Sequence, residues 1–256
     1  MNDTKRNLKK LTNMNKSFFI ATLATIASFS ALAQTSPIQS PVRPLGLDIV
    51  NKVQTAATDE ASKNFQVNVL PSVSKLVNEK LSESHKIDDG AYLLDPSKLK
   101  LKTDADVRVY FVGEGAAYAN TLGFTTDGSG KSGSDTAKLI FPNASSTVST
   151  YDPKSEVKRT EKEPLLPGDF VDLGKFKGGT ALDFFLIANG ANGGKTTYST
   201  QKSVNPDGIN HVISFAYAMK DSPYLVLGFE DLMGGGDRDF NDLIFAVDIG
   251  AVNVGA

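Results

Sequence analysis

Residues 223–250 read PYLVLGFEDLMGGGDRDFNDLIFAVDIG. Two apolar runs, YLVLGF (224–229) and LIFAVDI (243–249), bracket the acidic stretch EDLMGGGDRDFND (230–242). Each run is short, rich in aliphatic and aromatic residues, and apolar at consecutive positions, the pattern of a strand buried on both faces. VRVYFVG (107–113) and ALDFFLIA (181–188) share that character. Weaker strand patterns occur at NTLGFTT (120–126), AKLIF (137–141), DFVDLGKF (169–176), TTYSTQ (196–201) and HVISFAYAM (211–219), separated by Gly/Asn/Asp clusters. None of the later connections is long enough for a crossover helix, which disfavours parallel winding. The expected fold is mainly β, an antiparallel sandwich or jelly roll.

The acidic stretch carries the chemistry. It holds Glu230, Asp231, Asp237, Asp239 and Asp242, with Asn241 as a neutral oxygen donor. These carboxylates repel one another, and Arg238 neutralises only part of the charge. A hard divalent ion taking about six to eight oxygen ligands resolves the conflict, and Ca²⁺ fits better than Mg²⁺. Gly234–Gly236 let the backbone take positive φ and turn carbonyls inward. The spacing Asp237-x-Asp239-x-Asn241 copies the first half of an EF-hand loop, but position six is Asp242 rather than Gly and position twelve is Asp248 rather than Glu. A strand over 243–248 also carries Asp248 about 20 Å from Asn241. The expected site is a calcium loop between strands, with Asp237, Asp239, Asn241 and Asp242 as core ligands and Glu230 or Asp231 completing the shell. The bland reading is a solvated acidic turn.

GFEDLMGGGDRDFNDLIFAV closely resembles the C-terminal signature of a bacterial domain of unknown function, number four-one-one-four, found in exported and cell-surface proteins. LDFFLIANG (182–190), TYS (197–199) and NPDGINH (205–211) fall in the order that family shows, so the resemblance covers about residues 165–250. VYFVGEGAAYANTLGF (109–124) is similar to a segment found ahead of such domains. The resemblance implies an extracellular β-rich, calcium-binding module in adhesin-like or matrix proteins, and it supplies no activity.

Upstream of the β region the composition changes. Residues 5–16 carry Lys5, Arg6, Lys9, Lys10 and Lys16, and the apolar run 17–33 ends in Ala31-Leu32-Ala33. That is the layout of a secretory signal peptide. A membrane anchor is the competing reading, and the Ser/Thr content and small-residue exit weigh against it; Met14 is a second plausible start. Cleavage after Ala33 removes five of 27 basic and one of 29 acidic residues, so 22 and 28 remain and the net charge becomes −6. No later run approaches the roughly 20 apolar residues of a membrane helix. Residues 34–44 are Pro-rich. Helix is expected from Leu47 to Lys63, and again after Pro71 with Ser72 as cap and Val73, Leu76, Val77 and Leu81 on one face. The expected division is thus 1–33 signal peptide, 34–98 leader and short helical segment, and 99–256 sandwich.

Composition excludes several classes. The chain has no Cys, so disulfide scaffolds, Cys zinc sites, iron–sulfur clusters and lipoprotein anchors are out. Near-balanced charge gives no basic stripe for nucleic acid. GSGKS (128–132) and GGKT (193–196) lack the first Gly of a phosphate loop, with Thr125 and Asn189 in its place. No G-x-S-x-G occurs, and His85 and His211 have no obvious triad partners. His211 is expected to hydrogen-bond a loop carbonyl and His85 to be exposed. Asn189 and Asn192 suit left-handed turns, with a contribution to the metal as the alternative. Glu114 is the best extra carboxylate. The expectation is an exported, non-enzymatic, calcium-binding module, periplasmic or secreted, acting in adhesion, matrix or ligand binding with a glycan or surface protein as partner. A carbohydrate-active hydrolase using a carboxylate pair and a periplasmic structural module are the alternatives.

Overall fold

The runs at 224–229 and 243–249 become neighbouring antiparallel strands at the heart of one sheet. The structure, a computed structural model, describes residues 38–81, 95–148, 157–216 and 222–254, all within one compact unit spanning Thr35–Ala256. The signal-peptide reading of 1–33 and His85 lie outside the described residues. The strands are β1 (Ala105–Gly113), β2 (Thr121–Thr125), β3 (Lys138–Phe141), β4 (Phe170–Phe176), β5 (Asp183–Ile187), β6 (Thr197–Ser199), β7 (Val212–Ala216), β8 (Tyr224–Phe229) and β9 (Leu243–Asp248). Each lies inside, or within two residues of, its predicted run. They form a five-stranded sheet, β4-β1-β9-β8-β7, and a four-stranded sheet, β3-β2-β5-β6, with every strand pair antiparallel.

The main core lies between the sheets. Val109, Phe111, Leu227, Phe245 and Val247 of one meet Leu122, Phe124, Phe184 and Leu186 of the other. The central strands are apolar on both faces because each sheet is also covered outside. Tyr110, Phe170, Val226 and Ile244 pack under a helical layer through Phe65, Val69, Val73 and Val77, and Phe65 stacks on Tyr110 at 3.9 Å. On the other sheet, Leu139, Phe185 and Ile187 pack against Leu47 and Ile49.

That last contact corrects the helix expected from Leu47 to Lys63. Helix α1 spans only Glu60–Asn64. The residues before it form a strap: Val50 N–H donates to Leu139 O (2.9 Å), and Gln54 and Phe170 exchange backbone bonds (2.8 and 2.9 Å). One segment thus covers one edge of each sheet, at β3 and β4, where open edges would invite pairing with other chains. Ala57 is left-handed (φ 58°), and Asp59 then caps α1. Its side chain accepts from Ser62 N–H (2.7 Å), while Ser62 Oγ accepts from Asp59 N–H (3.0 Å), a reciprocal cap. The second helix, α2 (Leu70–Lys80), needs no cap at Ser72, because it continues from α1 through a π-helical turn at Phe65–Val69. Pro71 offers no N–H and crowds the carbonyl a turn earlier, which accounts for the local widening.

Asp59 has a second role. Arg108 of β1 grips both its oxygens (3.0 and 2.8 Å), bonds Asp172 (2.5 Å) and lies 4.1 Å over the Phe170 ring. The Arg108 hydrogen bond holds the Asp59 carboxyl well below the usual carboxylate range, with the Ser62 bonds adding to it. A depressed folded pKa contributes stability that is complete above the unfolded value of about 3.9 and is lost as pH falls. Asp59→Asn keeps a cap acceptor and removes the charge. Its melting temperature should therefore fall less than the parent's between about pH 5 and 2; superimposable acid profiles would refute this role.

Candidate metal centre

The β8–β9 register pairs Phe229 with Leu243, so the acidic loop leaves and re-enters the sheet at adjacent positions. Within it, Gly234, Gly235, Gly236, Arg238 and Phe240 all have φ between 50° and 82°. Left-handed backbone at two non-glycine residues is sustained only where the surroundings enforce it. The effect is to fold the loop back on Glu230. Glu230, Asp237 and Asp239 each offer a carboxylate oxygen, all within 4.8 Å of one another. Gly236 has no room for a side chain, because a Cβ there would run into Glu230 Oε2.

Glu230 is 1 % exposed. Its Oε1 accepts from Phe240 N–H (2.7 Å), and its Oε2 is buried with no hydrogen-bond partner. Burial pushes its carboxyl up to about 8 against the Phe240 bond, and the charges of Asp242, Asp239 and Asp237 push the same way. Asp239 is buried and Asp237 exposed. Asp239 accepts from Asn241 N–H (3.2 Å) and from the Asn241 carboxamide. A buried oxygen without a donor, facing two more carboxylates, suits a divalent cation. Glu230, Asp237 and Asp239 would hold it, leaving positions for main-chain oxygens or water.

The other three predicted ligands lie beside this trio and make bonds of their own. Asn241 Nδ2 donates to Leu81 O at the end of α2 (3.1 Å), and the Asn241 main-chain carbonyl accepts from Gly115 N–H (3.0 Å). Asp231 N–H donates to Asp242 Oδ2 (2.8 Å), while Asp231 Oδ2 accepts from Asn120 Nδ2 (2.7 Å). Burial raises the pKa of both Asp231 and Asp242, and for Asp242 the Asp231 charge adds to it. Asn120 Oδ1 in turn accepts from Asn189 N–H (2.9 Å), and Asn189 Oδ1 from Ala119 N–H (3.1 Å). Asn189 is left-handed (φ 50°), and its side chain is a loop tie. Asn192 bonds it through Nδ2 (2.8 Å). Glu114 accepts from Ser146 N–H (3.1 Å), and burial pushes it up to about 7.

His211 is fully buried and stacks on Tyr198 at 3.8 Å. Its Nδ1 lies 3.2 Å from Glu230 O, the loop carbonyl contact expected of it, and its Nε2 lies 2.9 Å from Asp207 Oδ2. Asp207 was not singled out by sequence reasoning. The only available signal was its place four residues before a histidine in NPDGINH.

Fold and site together define an antiparallel two-sheet module with a carboxylate loop between β8 and β9, two neighbouring apolar strands of the larger sheet. Residues 176–250 match the family model described as Domain of unknown function (DUF4114), the family whose signature the loop resembles. The match runs from the end of β4 to just past β9 and includes every loop carboxylate. Neither a curated protein nor a solved structure matches the chain. Among the described residues, no helix is long and apolar enough to cross a membrane.

Proposed function

We propose that this chain is an exported calcium-binding β-sandwich module that acts in adhesion, matrix or ligand binding at or beyond the cell surface, with no catalytic role. Export rests on the basic-apolar-small pattern of residues 1–33. The observation that carries the metal reading is Glu230 Oε2, a buried oxygen with no donor, grouped with Asp237 and Asp239. Calcium brings positive charge to this group, and it clamps a glycine-rich loop between two strands. With no disulfide available, such a clamp is the natural staple for an exported domain.

Melting in EDTA against excess Ca²⁺ tests the reading. At free calcium about 100 times Kd the folded state gains about 2.7 kcal/mol, a rise of about 5–10 °C for a domain of this size. Glu230→Gln, or Asp237→Ala with Asp239→Ala, should abolish the rise. A parent protein that melts at one temperature in both conditions sinks the metal reading. A glycan array then addresses the partner: binding without turnover supports a lectin-like module, and turnover abolished by one carboxylate substitution would replace it with the hydrolase.

A further inference from the structure

We propose that Asp207 and His211, in the turn leading into β7, are positioning residues for the cation loop. Together they fix the backbone at Glu230 and Gly234, so that the free carboxylate oxygen of Glu230 is presented to Asp237 and Asp239. The inference rests on the reading of those three carboxylates as a calcium site.

His211 holds Glu230 from both sides of its Cα. Glu230 N–H donates to His211 O (2.9 Å), and Glu230 O faces His211 Nδ1 (3.2 Å). With both peptide groups fixed, the direction in which the Glu230 side chain leaves the backbone is fixed too. The ring cannot swing away, since it is fully buried and stacked on Tyr198. Asp207 completes the brace. Its Oδ2 lies 2.9 Å from His211 Nε2 and accepts from Gly234 N–H (2.8 Å). Gly234 opens the glycine run whose left-handed backbone turns the loop toward Glu230, and glycines have the most conformational freedom to lose. One carboxylate outside the loop therefore ties the pliable end of the loop to the residue gripping Glu230. Ile209, between the two, approaches the same run, with its Cδ1 3.2 Å from where a Gly235 Cβ would sit. Partners that orient metal ligands in this way typically change metal affinity by about 10–100-fold when removed.

The test is titration of the full chain with Ca²⁺ alone, beside melting in EDTA, for the parent, Asp207→Asn and His211→Gln. Asp207→Asn preserves volume and keeps the outcome readable should the buried His211 variant fail to fold. Calcium affinity should fall about 10–100-fold with the EDTA melting temperature at the parent value. Parental affinity in Asp207→Asn overturns the proposal, and so does a lower EDTA melting temperature with parental affinity, which would make the brace merely structural. A parent that binds no calcium overturns the metal reading itself, and is told apart because the unmutated protein is then already silent.

Discussion

Arg159→Ala should lower the free energy of unfolding by about 3–5 kcal/mol, the cost of leaving a buried charge without its partner. Asp169 has no exposed side-chain surface, and the Arg159 guanidinium spans both its oxygens, with Nη2 2.7 Å from Oδ1. The same carboxylate accepts from Leu166 N–H (2.7 Å) and Ala56 N–H (3.3 Å). It therefore joins the loop before β4 to the N-terminal strap, and Arg159 also bonds Pro164 O (2.9 Å). Two backbone donors do not offset a full buried charge. Replacing both members, Arg159→Met with Asp169→Leu, should cost less than the sum of the single changes, because no orphaned charge is left. Urea denaturation of the set measures this, and a single-variant loss below about 1 kcal/mol would show that water reaches the carboxylate.

Gly228→Ala is the second large effect, with an expected loss of about 3 kcal/mol, the upper end for overpacking. Gly228 lies in β8, opposite Ile244 of β9. A Cβ at this position would run into the carbonyl oxygen of Phe240, with Leu81 Cδ1 3.5 Å away. A backbone oxygen has no rotamer through which to escape. Phe240 is itself pinned, being 1 % exposed, left-handed and bonded through its N–H to Glu230 Oε1. The loop must lift off the strand to admit a methyl group. Chemical denaturation checks the size of the loss, and near-parental stability would show the loop to be pliable where it crosses β8.

The strands were legible because their cause is local. Runs such as LVLGF and DFFLI are apolar at consecutive positions, and a sheet covered on both faces requires that. The strap at Ile49–Gln54 was not legible, because its backbone partners Leu139 and Phe170 lie some ninety or more residues away and leave no periodic mark. Its apolar residues pass for one face of a helix. The α1 start at Asp59 is visible in hindsight as a capping residue three before Ser62, but it competes with Ala56 and Ala57, which favour extending the helix backward. Within the acidic loop, composition located the centre but could not apportion it. Which carboxylates group with Glu230 depends on the left-handed turns at Arg238 and Phe240, residues that rarely adopt them. Asp231 and Asn241 also bond Asn120 and Leu81, partners no spacing rule could supply.

The pairing of β1 with β9 bears on how the molecule is assembled. Arg108 meets Asp248 in that ladder, so the centre of the larger sheet closes only when the last strand is available. Such non-local closure places folding in the slow regime of about milliseconds to seconds. A nascent chain short of β9 would present β1, with Val109, Phe111 and its backbone donors, as an apolar edge with no partner. Such an edge templates association with other chains. The interval before the final strand arrives is therefore the period of greatest aggregation risk, and a holding chaperone would be of most use then.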